Sequence, residues 1–153
     1  MKQKLAELQK IYANRGTALI EDQRARTLFR ELGDGKPFLD IETDIWRLSV
    51  PPASAHDALT VSGGTDSKFW YADWAGGLLW LGLPATTGIA ARLRAITSRA
   101  GGHATLMRGS AEARGKLDVF EPEAPARAGL TLSVKNAFDP KRVFNPGRMY
   151  QDV

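Results

Sequence analysis

The sequence of 153 residues has no cysteine and only two histidines, and both shortages exclude kinds of functional site. Without cysteine the chain forms no disulfide, no thiolate metal site and no cysteine nucleophile. His56 and His103 lie far apart along the chain, which argues against a metal site built on histidine. The sequence also lacks a phosphate-cradling glycine loop after a strand, a hydrolase serine elbow and an acidic calcium loop. We therefore do not expect a complete enzyme from this chain alone.

Long apolar runs are missing as well. No run reaches the roughly 18 residues that a membrane-spanning helix requires, and residues 1–10 contain no apolar signal-peptide core. We therefore expect a cytoplasmic protein. The hydrophobic fraction of 43% and the charged fraction of 25% are typical of a globular protein, and the length suits one domain with its own core.

An excess of positive charge is present, but it is small. The net charge is +4 and the basic residues are scattered, which gives only weak support for a nucleic-acid partner. Trp70, Tyr71 and Trp74 could stack on bases, yet they alternate between the two faces of a predicted strand and do not form one platform. We predict no nucleic-acid partner.

Apolar residues recur with helical spacing in several segments, and short β-branched and aromatic runs lie between them. Helices are predicted over residues 3–13, 21–32, 54–59, 86–99 and 125–138, the last with an apolar stripe of Leu130, Val134 and Phe138. Strands are predicted over residues 17–20, 43–50 and 103–107, and in the two runs that flank a hairpin turn at Gly76-Gly77. Residues 117–122 are predicted to form a short strand or an extended segment. The strand over 103–107 is expected beside that hairpin. The predicted fold class is α+β: a largely antiparallel sheet of four to five strands, with helices mainly on one face and ferredoxin-like character.

Four segments together carry a family resemblance. "FDPKRVFNPGRMY" (Phe138–Tyr150) is similar to the C-terminal signature of FAD-linked oxidases of the vanillyl-alcohol oxidase type. With it, "IWRLSVPP" (Ile45–Pro52), "ADWAGGLLWL" (Ala72–Leu81) and "AGGHATLMRG" (Ala100–Gly109) resemble the FAD-binding subunits of bacterial glycolate oxidases in order and rough spacing. The resemblance covers about residues 21–151.

Members of this family begin with a flavin-binding domain, which nothing in this sequence resembles. The resemblance therefore implies a fragment or truncated product: residues 1–137 as the cap, or substrate, domain, and residues 138–153 as a segment that returns to the missing flavin domain. It implies FAD as the cofactor of the full-length protein, with none bound tightly here, and a small 2-hydroxy acid such as glycolate as the substrate.

The resemblance also implies partners. They are the chain's own N-terminal flavin domain, a second flavin subunit and an iron–sulfur subunit, which would place the protein at the periphery of the inner membrane through the complex. The surface that meets the flavin domain should be apolar, and it could drive dimerisation of the fragment.

The C-terminal signature supplies the candidate cofactor-binding residues. By resemblance, Asn145 offers its amide to a polar edge of the flavin, Pro146 and Gly147 fix a close approach, and Arg148 meets a phosphate or carboxylate of the missing domain. The alternative is a helix-end turn that packs on its own sheet.

Two further residues are candidates on the substrate side. Arg47 points away from the apolar stripe of its strand, and in related flavin oxidases a cap-domain arginine grips the substrate carboxylate. The alternative is a surface arginine on an open sheet face. His103 opens a strand directly after a glycine pair and could act as the general base, or it could be structural. A competing hypothesis for the whole chain is a self-contained α+β module that binds a small carboxylate or pairs with itself.

Overall fold

The computed structural model describes residues 2–13, 18–63, 67, 69–150 and 153. The chain divides into two compact units, Met1–Leu39 and Asp40–Val153. The first unit contains helix α1 (Lys2–Tyr12), helix α2 (Asp22–Gly33) and a 3-10 turn at Lys36–Phe38.

The strand predicted over residues 17–20 is wrong for residues 18–20, which have no strand pairing, while Thr17 lies outside the described residues. So short an apolar run becomes a strand only where another strand pairs with it, and the sequence pattern does not report that partner. The predicted boundary between residues 137 and 138 stays a prediction.

The second unit contains the sheet. In chain order its elements are β1 (Ile45–Ser49), α3 (Ala55–Val61), β2 (Trp70–Asp73), β3 (Leu78–Gly82), α4 (Thr87–Arg99), β4 (His103–Arg108), α5 (Ala111–Lys116) and α6 (Pro125–Phe138). In the described part of the chain the sheet has four strands in the order β2-β3-β1-β4, and every pair is antiparallel. This βαββαβ arrangement with the first strand in the centre confirms the α+β prediction and its ferredoxin-like character.

One face of the sheet holds the hydrophobic core. Trp46 and Leu48 of β1 lie opposite Leu81 and Leu79 of β3, and all four side chains are almost fully buried. Helix α4 adds Leu93 to this cluster, and it begins where Thr86 accepts a hydrogen bond from the Ile89 amide at 3.3 Å. Helices α3 and α4 cover this face of the sheet, and they do not cover the opposite face, which carries the polar residues of β1.

The hairpin predicted at Gly76-Gly77 is confirmed, but its turn is longer than two residues. The turn runs over residues 74–77, with positive φ at Trp74, Ala75 and Gly76. The Asp73 carboxylate accepts a hydrogen bond from the Trp74 amide at 2.7 Å, which holds the entry to the turn. Non-glycine residues rarely adopt positive φ, so this local bond has to offset backbone strain.

Of the two alternatives predicted for residues 117–122, the strand is wrong and the extended segment is the one that the structure shows. Two further differences are that the short helix α5 was not predicted and that β4 pairs with β1 instead of lying beside the hairpin. The signal for α5 was present, because Ser110 caps it by accepting a hydrogen bond from the Ala113 amide at 3.0 Å. Among the described residues, no helix combines the length and the apolar character that crossing a membrane would require.

Candidate functional site

The uncovered face of the sheet carries the predicted residue Arg47. In the strand register Arg47 lies opposite Trp80 of β3 on one side and Thr105 of β4 on the other. Tyr71 of β2 continues the row beyond Trp80. Residues directly opposite each other in antiparallel strands share a face, so these four side chains form one row across the sheet.

Arg47 rests on an aromatic surface. Its guanidinium carbon lies 5.9 Å from the centre of the Trp80 ring, and the Trp80 and Tyr71 rings stack at 5.8 Å. Burial raises the pKa of the Tyr71 phenol, and the nearby Asp73 carboxylate raises it further. Arg47 has no ion pair or hydrogen bond with any other part of the described chain, so its N–H groups remain available to an anion.

His103 lies on the same face, at the start of β4. It is opposite Ser49, and it is two residues before Thr105, so the imidazole and the Thr105 hydroxyl lie on one side of the strand. The His103 side chain is exposed. Sequence reasoning thus selected two residues, Arg47 and His103, that the fold brings onto neighbouring strands.

A segment over residues 117–124, called here the strap, runs along the free edge of β4. The Leu106 amide donates to the Val119 carbonyl at 2.9 Å, and the Ala104 amide donates to the Glu121 carboxylate at 2.9 Å. The Thr97 hydroxyl of α4 donates to the same Glu121 oxygen at 3.3 Å. The strap therefore satisfies backbone donors that an edge strand would otherwise expose.

Arg94 of α4 holds the outer part of the strap. Its guanidinium donates to the carbonyls of Asp118, at 2.5 Å, and Phe120, at 3.1 Å.

We expect Arg94→Ala to lower the free energy of unfolding by about 1.5 to 3 kcal/mol, because two charge-assisted hydrogen bonds are lost. Urea unfolding would measure the loss, and hydrogen exchange should show faster exchange over residues 117–122. Arg99→Ala, an exposed position on the same helix, should change neither; equal effects of the two substitutions would refute the anchoring role of Arg94.

The strap, β1, β4 and the start of α6 enclose a cleft of about 490 Å³. Its chemically active side chains are Arg47, His103, Thr105, Glu121, Glu123, Arg127 and Tyr150. The cleft therefore joins the two predicted substrate-side residues with five that sequence reasoning missed. Strand alternation could have found Thr105, since it follows His103 by two positions, but nothing in the sequence indicates that the strap and Tyr150 come together here.

Tyr150 connects the C-terminal segment with the cleft. Its ring lies 6.3 Å from that of Phe120, and its hydroxyl donates to the Glu121 carbonyl at 3.5 Å. Burial raises the pKa of the Tyr150 phenol, and the charge of Glu123 contributes to the same direction. The phenol therefore keeps its proton at neutral pH and serves as a hydrogen-bond donor.

The predicted cofactor-binding residues lie elsewhere. Asn145, Pro146, Gly147 and Arg148 are exposed and do not line the cleft. Asn145 and Gly147 have φ of 47° and 67°, and the Arg148 amide donates to the Asn145 carbonyl at 3.3 Å, so the signature forms a tight turn. The side chains of Asn145 and Arg148 have no partner within the described part of the chain, which leaves them free to meet another molecule.

Asp139 is the residue that folds the C-terminal segment. Its carboxylate accepts hydrogen bonds from the amides of Val143 and Phe144, both at 2.9 Å, and pairs with the Lys135 ammonium at 3.0 Å. Lys135 in turn donates to the Phe144 carbonyl at 2.5 Å. The Phe144 hydrogen bond, more than the other contacts, holds the pKa of Asp139 below its usual range, and burial opposes this effect.

The pKa of Asp139 predicts how the segment responds to acid. A carboxyl group whose pKa is lower in the folded state stabilises the fold above its unfolded pKa of about 3.9, and this contribution is lost as the pH falls towards the folded value. We expect Asp139→Asn to loosen residues 140–150 at neutral pH and to remove that part of the acid sensitivity. Trypsin cleavage at Lys141 and Arg142 in the native protein at neutral pH, followed by mass spectrometry, would measure the loosening. Amide hydrogen exchange of residues 140–150 between pH 7 and pH 3 would measure the acid response.

Asp118→Asn is the matched control, because the Asp118 carboxylate has no hydrogen bond in the described part of the chain. It should leave cleavage at Lys141 and Arg142 unchanged. Identical cleavage of Asp139→Asn and the wild type would show that these hydrogen bonds do not hold the segment.

An exposed apolar surface, called here the docking face, accompanies this turn. Phe138 is 85% exposed, and the predicted stripe of α6 is not buried by its own unit. The members of the docking face are Leu130, Val134, Phe138, Val143, Phe144 and Met149. All six are exposed large apolar side chains within residues 130–149, and exposure of this kind is typical of an interface.

A comparison with curated proteins gives one relationship. The chain is similar to the glycolate oxidase subunit GlcE of Escherichia coli (strain K12). The two are 33% identical over 117 residues, which is 76% of this chain but 29% of that subunit. The chain thus spans less than a third of the length of the relative it matches. No family model and no solved structure matches the chain.

Proposed function

We propose that this chain is the C-terminal cap domain of an FAD-dependent subunit that oxidises 2-hydroxy acids such as glycolate, and that it forms the substrate side of the flavin site. The observation that carries the proposal is that Arg47 and His103 line one cleft on the face of the sheet opposite the core. The similarity to a glycolate oxidase subunit supports the same reaction class.

The cleft supplies the two groups that such an oxidation requires from a cap domain. Arg47, unpaired and supported by the Trp80 ring, binds the carboxylate of the acid through its planar guanidinium. His103, two positions from Thr105 on the same face of β4, accepts the proton of the 2-hydroxyl group. When bound in the full-length protein, FAD would supply the acceptor for the hydride on the carbon that bears the hydroxyl group, so that the hydroxy acid would lose one hydride and one proton and become the 2-oxo acid.

The described residues fit contact with a flavin-bearing domain, but not a complete flavin site. Asn145 and Arg148 are exposed and without partners in a turn held by Asp139, which suits recognition by another domain. The sequence has no glycine-rich loop to cradle the pyrophosphate. We therefore assign FAD to the full-length protein. Its flavin domain would be contacted by the C-terminal turn, that is by Asn145, Pro146, Gly147 and Arg148.

The docking face supplies the apolar part of that contact. In the full-length protein it is covered by the N-terminal flavin domain, and in the isolated chain it supports association with a second copy. By the same family relationship, the complex adds a second flavin subunit and an iron–sulfur subunit and lies at the cytoplasmic side of the membrane.

A chimera tests the proposal directly. The matching region of the Escherichia coli protein would be replaced by residues of this chain, and FAD content and glycolate-dependent dye reduction would be measured in the assembled complex. We expect the chimera to retain FAD and to oxidise glycolate, whereas the isolated chain retains no FAD. A chimera that folds and binds FAD but fails to oxidise glycolate would refute the substrate-side role. Tight FAD binding by the isolated chain would instead favour a self-contained ligand-binding module.

A further inference from the structure

We propose that Thr105 determines specificity in this cleft, because its hydroxyl recognises the 2-hydroxyl group of the bound acid. The inference rests on the proposed function and assigns a residue to the part of the substrate that distinguishes a hydroxy acid from a plain carboxylic acid. No similarity to a known protein assigns a role to this residue.

Thr105 lies between the two groups that the reaction uses. It is directly opposite Arg47 in the register of β1 and β4, and it is two positions from His103 on the same face. Side chains that lie opposite each other in antiparallel strands have Cβ atoms about 5 Å apart. A carboxylate on Arg47 therefore has its neighbouring carbon, with the hydroxyl group, within reach of Thr105.

The environment of Thr105 suits recognition of a polar group. The residue is only 5% exposed, yet it lines the cleft. Its hydroxyl makes no hydrogen bond in the described part of the chain, and it is not among the side-chain atoms sealed without a partner. A nearly buried hydroxyl that faces a cleft and has no hydrogen-bond partner in the protein gains one when a ligand with a matching group binds.

Other hydroxyl groups around the cleft are less suited. Tyr150 already donates to the Glu121 carbonyl, and Thr97 donates to the Glu121 carboxylate. Ser98 lines the cleft from α4, on no strand of the sheet, and its side chain is exposed. Thr105 alone among these four adjoins Arg47 on the sheet.

The test compares two acids that differ only in the 2-hydroxyl group. Dissociation constants of glycolate and acetate would be measured by NMR titration on the 153-residue chain, for the wild type, Thr105→Val and Thr105→Ser. Valine has nearly the shape of threonine without its hydroxyl, and serine restores the hydroxyl. Thr60→Val, at an exposed position on α3, is the matched control.

We expect the wild type to prefer glycolate over acetate by roughly threefold to tenfold, the amount that one net hydrogen bond supplies. Thr105→Val should remove this preference without changing the affinity for acetate, while Thr105→Ser and Thr60→Val keep it. A preference that persists in Thr105→Val, or an equal loss for both acids, would overturn the role of Thr105 and leave the proposed function standing. A wild-type chain that binds neither acid would overturn the role of Thr105 in this chain, and the chimera would still decide the proposed function.

Discussion

Replacing Gly102 by alanine is expected to destabilise the fold strongly, because a Cβ there meets backbone more closely than at any other glycine compared in the described part of the chain. Gly102 joins α4 to β4, where it passes closely over the end of β1. A Cβ atom at this position would lie inside the contact radius of the Ser49 carbonyl oxygen, 3.0 Å from the carbonyl carbon and 3.2 Å from the Val50 Cα. All three neighbours are backbone atoms, so no side chain can rotate to make room.

The added methyl group must therefore push β4 away from β1. That displacement breaks the pairing of the strands that carry Arg47, His103 and Thr105, and it disturbs the floor of the cleft. We expect a loss of about 3 kcal/mol or more in the free energy of unfolding, at the upper end of what overpacking costs. Thermal and urea unfolding followed by circular dichroism would measure it.

Gly88→Ala provides the control, because a Cβ there meets open space within the first turn of α4. Alanine favours a helix over glycine by up to about 1 kcal/mol, so this substitution should leave the fold unchanged or stabilise it. If Gly102→Ala and Gly88→Ala had the same free energy of unfolding, the conclusion that the chain at Gly102 passes too close to β1 for a Cβ atom would be wrong.

The sheet could be predicted because its signals are local. In β1, Trp46 and Leu48 alternate with Arg47 and Ser49, and this period of two places the polar pair on the face away from the core. The glycine pair at the hairpin and the threonine cap of α4 are similarly short-range signals. They were sufficient for the fold class, though not for which strand β4 would pair with.

The cleft wall could not be predicted, because long-range contacts make it. The strap has no hydrophobic period, and it is held by Arg94 from α4, the Glu121 carboxylate and the amides of β4. Its sequence was interpreted as a short strand or an extended segment, since extended chain along a sheet edge shows the same residue types as a strand. Tyr150 reaches the cleft from 29 residues beyond Glu121, and no local pattern encodes that contact.

The C-terminal segment contains residues that the family resemblance indicates and one residue whose role only the folded structure reveals. The resemblance selected Asn145 to Arg148 as residues that meet a flavin domain, and this role stays a prediction. The structure adds Asp139, which bonds two amides and a lysine and so fixes the turn that presents those residues. An aspartate before a proline at a helix end indicates a turn, but it does not reveal which amides the carboxylate will bind.

Substitution of Arg47 is expected to have the largest effect on ligand binding. The guanidinium lies over the Trp80 ring and has no ion pair within the described residues, so its charge is available to the substrate carboxylate. Charge-assisted hydrogen bonds contribute about 1.5 to 3 kcal/mol, and we therefore expect Arg47→Gln to weaken glycolate binding roughly tenfold to a hundredfold. Arg47→Lys should recover little, because a lysine ammonium offers no planar pair of donors.

Glutamine keeps part of the aliphatic stem, so the packing against Trp80 is partly preserved and the effect reports mainly on the charge. The stacked Tyr71 and Trp80 rings provide an internal check, since near-UV circular dichroism should remain that of the wild type. Arg99→Gln, on the outer surface of α4, should bind glycolate as the wild type does. Glycolate and acetate should lose affinity equally in Arg47→Gln, because both bind through the carboxylate. Unchanged binding in that variant would remove Arg47 from the site and, with it, the main support for a hydroxy-acid substrate.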